Sequence, residues 1–385
     1  MIPYSKQSIH EEDIESVVEV LKSPWITQGP KVQEFEKKLT HTLGCKYAVA
    51  CSSGTSALHL AYAALGVDEN SVGIVPAVTF AATANAFRYL MAEVIFSDVD
   101  PEHGLVDLCD LENKMRFARK IKPQGVHVVS PVSLAGRVAN LKEVRDLAIR
   151  YDFLVVEDAS HSPGGYLSNN ESMIRSASCE FSTASTVSFH PVKHICCGEG
   201  GAALFDSEDH SLKALQLRSH GIKRDTGHFK DRPWYYEQVE LGWNYRMTDM
   251  QAALGICQIS RLEKSIQLRT QVAKRYSKLF SDSSLSEQIL LPDVISGHAW
   301  HLYVIRFRNA SLRDKAYHFL RNNGIITQIH YIPLYRHPFH SANHKHSDFP
   351  GAEDYFSRCL SLPMFPDITD QEQNLVVKTL EEFLK

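Results

Sequence analysis

No apolar run in these 385 residues approaches the ~20 needed for a membrane-spanning helix. A membrane protein is therefore not expected. The opening residues, Met1 to His10, are polar and mixed. They lack the charged-then-apolar layout of a secretory signal, so a cytoplasmic location is expected. A cationic surplus is missing as well: 41 Lys and Arg stand against 45 Asp and Glu, for a formal net charge of -4. Without a basic field, nucleic acid is not an expected partner. An acidic small molecule would have to be held by a few local cations or backbone amides. The eight cysteines form no double CxxC pattern. The adjacent Cys196 and Cys197 are poorly placed to share a tetrahedral ion, so no metal site is expected and the thiols read as reduced packing residues. Internal repeats, low-complexity tracts and a GK[ST] phosphate loop are also lacking.

What is present is an ordinary globular composition, 44% apolar and 22% charged, in a chain long enough for two domains. Short apolar runs alternate with helix-like stretches. Tyr47 to Ala50, Ser71 to Val75, Glu93 to Phe96, Gly125 to Val129 and Phe153 to Val156 read as buried strands of a mainly parallel sheet. Thr186 to Phe189 and Gly201 to Phe205 read as two more around a loop. One long helix is expected over Ile256 to Phe280, then strands at Trp300 to Phe307 and Ile325 to His330. The change in character predicts a large domain over residues 1–255 and a smaller one over 256–385.

Three constellations carry chemistry. In Val155-Val156-Glu157-Asp158-Ala159-Ser160-His161, a carboxylate stands at the carboxyl end of a buried strand, where open α/β sheets place ligands. Asp158 there can keep the pyridinium nitrogen of pyridoxal phosphate protonated, or it can simply cap the next helix. In Ser188-Phe189-His190-Pro191-Val192-Lys193-His194, a lysine follows a strand and precedes the glycine-rich Gly198-Glu199-Gly200-Gly201. A lysine that forms a Schiff base must be near neutral when it attacks; the other reading is a surface lysine in a loop. The 35 residues from Asp158 to Lys193 would let both reach one ligand from neighbouring strand ends. Third, Ser52-Ser53-Gly54-Thr55-Ser56 before a helix offers hydroxyls and free amides to a phosphate, or is a capped helix start without a ligand.

The ordered blocks SSGTSALHLAYAALG, PAVTFAATAN, VVEDASH, SFHPVKHICCGEGG, GWNYRMTDMQAALG and CLSLPMFPDIT resemble the DegT/DnrJ/EryC1/StrS sugar aminotransferases over nearly the whole chain. The resemblance implies an α/β fold-type I pyridoxal-phosphate enzyme. It would have a mainly parallel seven-stranded sheet, a smaller C-terminal α+β domain and a homodimer with active sites at the subunit interface. It implies Lys193 as the Schiff-base lysine, Asp158 as the pyridinium partner and Phe80 as the aromatic on the cofactor ring. Thr55, Ser56 and Ser188 match phosphate contacts, and Asn244 an asparagine reaching the phosphate from the other subunit. His161 matches a polar residue near the cofactor's ring oxygen.

Pro3-Tyr4-Ser5-Lys6-Gln7, Ser23 to Pro30 and Gln328 to Tyr335 are further similar to the C4 aminotransferases of pseudaminic acid biosynthesis. That likeness makes Tyr4, Trp25, Ile26, Thr27, His330 and Tyr331 candidates for lining a sugar-nucleotide site. The implied reaction is transfer of an amino group from L-glutamate to a nucleotide-linked 4-keto-6-deoxy sugar. Alternatives are another UDP- or dTDP-keto-sugar such as that of aminoarabinose synthesis, the family's dehydratase branch, and a cofactor-binding regulator. Lys193 speaks against the dehydratases, which carry histidine in its place. The sequence departs from the family at Ser133, where histidine or tyrosine is usual, at Cys196-Cys197, where threonines are usual, and in the long irregular stretch Leu167 to Ala184.

Overall fold

The computed structural model describes residues 1–168, 173–224, 232, 234–341 and 344–385. Its centre is a seven-stranded sheet. The strands are β1 (Tyr47–Cys51), β2 (Val72–Pro76), β3 (Glu93–Ser97), β4 (His127–Val129), β5 (Phe153–Asp158), β6 (Ala184–Ser188) and β7 (Gly201–Phe205). They lie in the order β1-β7-β6-β5-β4-β2-β3. The pairs β2–β3, β2–β4, β4–β5 and β5–β6 are parallel, whereas β7 runs antiparallel to both its neighbours. The loop between Ser188 and Gly201 that joins β6 to β7 contains no helix to carry the chain across the sheet, and the chain turns back.

Helices cover both faces, which is why the strands read as continuous apolar runs. Every residue of β2 is buried. Gly73 in that strand makes room for Phe87, whose ring a Cβ at position 73 would meet at 2.5 Å. Phe87 in turn stacks on Tyr62 at 3.7 Å between centroids.

A second core gathers Val272, Tyr276, Phe280, Tyr303, Ile305, Phe307 and Leu320 with Ile2 from the other end of the chain. Its sheet has three antiparallel strands, Ile289–Leu290, Tyr303–Phe307 and Cys359–Leu362. Ile2 reaches it through hydrogen bonds to Gly324 and Ile326 of 2.8 and 2.9 Å, and this crossing carries the following residues, Tyr4 among them, toward the large sheet.

Two expectations are corrected. The stretch Ile256 to Phe280 is two helices, Asp249–Ser260 and Leu262–Ser281, broken at Arg261. One residue of break hardly disturbs the apolar period, so the pattern does not register it. Residue 255 falls inside the first of these helices, whose Ala252 and Ile259 pack with Phe35 and Phe189 of the large-sheet side. The segment Ile325 to His330 forms no strand, only isolated bridges from Ile325 to Ile2 and from Gln328 to Ser361. It changes partner partway along, so no ladder propagates. Of the irregular stretch Leu167 to Ala184, residues 169–172 lie outside the described residues. The rest includes a ribbon of Tyr166–Ser168 with Met173–Arg175.

Arg269 ties the helix Leu262–Ser281 to the segments around Trp300 and Met364. It is buried, and its Nη1 donates to the carbonyls of Trp300, His301 and Met364 at 3.2, 3.3 and 3.3 Å. Arg269→Met leaves these acceptors with no charged donor, and the expected loss is about 3 kcal/mol. A lowered urea midpoint measures it; an unchanged midpoint would mean that water replaces the guanidinium.

Candidate active site

β1 and β6 both run opposite to β7, so they are parallel to each other and to β5, β4 and β2. Their carboxyl ends therefore share one edge of the sheet, the edge where ligands sit in such folds. Residues 52–56, 79–80, 158–161 and 188–193 follow these ends. A cavity of about 410 Å³ opens among them. Its lining includes Tyr4, Gly54, Thr55, Thr79, Phe80, Asp158, His161, Ser188, Lys193, His330 and Tyr331. That volume suits a small-molecule ligand.

Lys193 sits in the β6–β7 loop, held on both flanks. Its own amide donates to the His190 carbonyl at 2.8 Å, and Cys197 N–H donates to the Phe189 carbonyl at 2.9 Å. The neighbouring His194 is buried and its Nε2 donates to the Ala299 carbonyl at 2.7 Å. Burial lowers the Lys193 amine to about 7, against the opposing pull of the Asp158 carboxylate. A large share of these amines is therefore uncharged at neutral pH, the state a nucleophilic lysine needs.

Asp158 and Glu157 end β5 and point to opposite faces of the sheet. Asp158 Oδ2 accepts from Thr83 Oγ1 at 2.9 Å and Oδ1 from the Ser160 amide at 3.1 Å. Thr83 Oγ1 is itself 3.0 Å from Thr79 Oγ1. Glu157 is wholly buried and accepts from Ser176, Ala177 N–H, Ser133 and Ser185 at 2.6, 2.8, 3.1 and 3.2 Å. Burial pushes its carboxyl up, and these four donors pull it back. Ser133 thus belongs to the support of Glu157 rather than to the cavity wall.

The start of the helix Gly54–Ala64 forms an anion cradle. Ser53 caps it, accepting Ser56 N–H on Oγ at 3.1 Å and Ala57 N–H on its carbonyl at 3.0 Å. The first amides of a helix have no partner within it, which leaves those of Gly54 and Thr55 at the cavity. Glycine is required at position 54, because a Cβ there would lie 2.9 Å from that of Ser188. A Cβ on Gly201 would likewise meet the Ser53 carbonyl at 2.4 Å.

On the opposite wall, Tyr331 Oη lies 3.2 Å from His161 Nε2, and Ala135 N–H donates to His161 Nδ1 at 3.3 Å. Burial, then the charges of Lys193, His330 and His194, holds the His161 imidazole well below its usual range. His330 Nδ1 is 2.8 Å from Ser361 Oγ, and its ring lies 5.8 Å from that of Tyr4. Burial, with Lys193 next, lowers His330 to about 3. Both histidines are therefore neutral. Phe80 presents an exposed ring to the cavity, 5.9 Å from Tyr331.

Of the candidates named from sequence, Tyr4, Thr55, Phe80, Asp158, His161, Ser188, Lys193, His330 and Tyr331 line this cavity. Ser56 stands behind it, its hydroxyl donating to the Ser53 carbonyl at 2.8 Å. Trp25, Ile26, Thr27 and Asn244 are exposed and not among its lining. Thr27 bridges Thr248 and Asp249 N–H donates to the Ile26 carbonyl at 3.1 Å, whereas Asn244 bridges Ser219. Thr79, Thr83 and Ser160 were missed. The signal for the threonines was a hydroxyl pair four residues apart across a helix start. Among the described lining residues, Lys193 is the single lysine and arginine is absent.

Comparison with known proteins agrees with this geometry. The profile of the DegT/DnrJ/EryC1/StrS aminotransferase family matches residues 7–381. The chain is 35% identical over 387 residues to a Campylobacter jejuni UDP-4-amino-4,6-dideoxy-N-acetyl-beta-L-altrosamine transaminase, covering 100% of this chain and 98% of that one. Its structure superposes on Helicobacter pylori PseC, an aminotransferase involved in the biosynthesis of pseudoaminic acid, with a TM-score of 0.87 at 26% identity, covering 99% and 98% of the two chains. It also superposes on the PLP form of Streptococcus pneumoniae Spr1654, with a TM-score of 0.88 at 26% identity, covering 99% and 98%.

The lowered Lys193 amine has a consequence for stability without any ligand. Between about 7 and the ordinary lysine value, the folded chain holds fewer protons at this site than the unfolded chain. Stability therefore rises with pH across that window. Lys193→Met in cofactor-free protein is expected to raise the melting temperature most at pH 6, with the gain fading toward pH 10. Thermal denaturation of both proteins along the pH series checks this, and a gain independent of pH would contradict it.

Proposed function

Because the chain belongs to the DegT/DnrJ/EryC1/StrS aminotransferase family, we propose that it transfers an amino group from L-glutamate to C4 of a nucleotide-linked 4-keto-6-deoxy sugar, with pyridoxal phosphate as cofactor. The product is a 4-amino sugar nucleotide of the UDP-4-amino-4,6-dideoxy-N-acetyl-L-altrosamine type, for bacterial surface glycans or flagellin glycosylation. The observation that carries this reading is the lowered Lys193 amine facing the Asp158 carboxylate in one cavity. A cytoplasmic location goes with it, since the eight cysteines are free thiols, the state of a reducing compartment.

The residues fit the cofactor. The amides of Gly54 and Thr55 and the hydroxyl of Ser188 suit its phosphate, the Phe80 ring its flat face, and the Asp158 carboxylate its ring nitrogen. When bound, pyridoxal phosphate withdraws electrons from the carbon bearing the amino group, so that a proton there becomes acidic. Lys193 would hold the cofactor, and its uncharged amine would take up that proton and return it one position away. Asp158, fixed by Thr83 and Ser160, keeps the ring nitrogen positively charged. Tyr4 and His330 face the sugar.

The active assembly is a homodimer with shared sites. Three large apolar side chains, Trp25, Trp234 and Leu241, are exposed in the single chain and are available for burial against a second copy. The cavity of one chain also has too few cations for a diphosphate. Asn244 and the Trp25–Thr27 segment, both exposed, would then complete the partner's cavity.

Adding L-glutamate to the loaded protein is expected to move its visible cofactor band into the near ultraviolet, and a 4-keto sugar nucleotide should reverse the change once the 2-oxoglutarate formed has been removed. Lys193→Ala should lose turnover altogether. A band indifferent to glutamate would rule out this donor. Mixing Lys193→Ala with Asn244→Ala, each inactive alone, should restore about a quarter of wild-type activity if dimers exchange at random; no restoration would mean that each site is built from one chain.

A further inference from the structure

Lys193 lines a second, smaller cavity of about 90 Å³ as well as the one already described, and it is the residue the two linings share. The other walls come from the N-terminal stretch at Lys6 and His10, the start of the helix Leu262–Ser281, and the loop at Asp367. The charges there are unbalanced. Lys6, Lys264 and Arg269 line the cavity and, like Lys193, form no ion pair among the described residues. Arg261, also in the wall, is taken by Asp13 at 2.5 Å. Asp367 is the single carboxylate among the described lining residues.

Arg269 is the buried member of this set. Its Nη1 donates to three carbonyls, yet its Nε has no hydrogen-bond partner among the described residues. Burial lowers even this guanidinium to about 10, against the opposing pull of Asp367. A buried cationic donor without a partner is costly. The helix starts without a side-chain cap, and its amino end adds partial positive charge. His194, also in the wall, donates from Nε2 to the Ala299 carbonyl, so its unpartnered Nδ1 is an acceptor. A hydrated anion meets both needs. Its charge accepts from Arg269, and a water of its shell donates to His194. The volume admits a small inorganic anion with a little water, and the surplus of positive charge excludes a cation.

We propose that this cavity binds a small inorganic anion between Arg269, Lys264 and Lys6, and that the bound anion regulates Lys193 by favouring its charged form. An opposite charge beside an amine stabilises the protonated state. Occupancy therefore lowers the share of Lys193 amines able to attack. The anion acts from outside the cavity that takes the ligand, because Lys193 alone belongs to both.

Two measurements on cofactor-free protein test this. Crystals soaked in sodium bromide should show an anomalous peak within hydrogen-bond reach of Arg269 Nε and Lys264 Nζ; no peak there overturns the site. In solution, competitive acetylation followed by peptide mass spectrometry reads the uncharged share of Lys193. Exchanging a bulky sulfonate for chloride at constant ionic strength should slow Lys193 acetylation at pH 7 roughly threefold. Combining Lys6→Gln with Lys264→Gln should abolish that chloride effect while the protein stays folded by its melting curve. A chloride effect that survives both substitutions puts the anion in the larger cavity and overturns the proposal. A bromide peak without any chloride effect marks an adventitious ion only and overturns the regulation. Neither measurement involves pyridoxal phosphate, so each outcome leaves the aminotransferase reading untouched.

Discussion

Keeping one amine out of water is the constraint on which the site depends. A lysine in solution is charged, and a charged amine neither attacks a carbonyl nor takes up a proton. Burial at the sheet edge removes that charge from a large share of Lys193 amines near pH 7. Such burial needs a rigid frame, since a mobile loop would swing the amine back to solvent. The frame is the short β6–β7 loop, pinned through Phe189 and Cys197 on the backbone and through His194 to Ala299. The same loop, without a crossover helix, turns the chain back so that β7 runs antiparallel, and it carries Lys193.

The carboxylates of β5 divide their roles by the pleat. Asp158 faces the cavity, with each oxygen bound by one donor. Glu157, one residue earlier, faces the other side. Three hydroxyls and an amide there anchor the Ser133 turn, the ribbon end at Ser176 and Ala177, and β6 to one buried group. A buried carboxylate is expensive unless its hydrogen bonds are met, and here they are. The serines look unremarkable in the sequence because a hydroxyl gives no sign of its partner until the chain folds.

Much of the fold was legible before any coordinates. Continuous apolar runs located all seven strands of the large sheet to within a few residues, because strands covered on both faces must be apolar on both. What the pattern could not convey was the break at Arg261, which leaves the apolar period almost intact, and the partner exchange along Ile325 to His330. In the site, the strand-end motifs around Asp158, Lys193 and Ser53 were legible since each follows a readable strand. Thr83 escaped notice because its importance lies in a 2.9 Å contact with a residue 75 positions away.

By itself, then, the sequence determined the kinds of chemistry available: a lysine and a carboxylate at strand ends, hydroxyls and glycine at a helix start, an aromatic after a strand. These follow from local pattern, because residue type and its place on an element are properties of a short stretch of chain. Tertiary structure alone decided the rest. It lowered the Lys193 amine, left the Gly54 and Thr55 residues at the cavity, kept Trp25 and Asn244 on the surface, and brought Ala135 and Tyr331 to the two ring nitrogens of His161. Desolvation and hydrogen-bond polarity arise from groups distant in sequence, and they exist only once folding has brought those groups together.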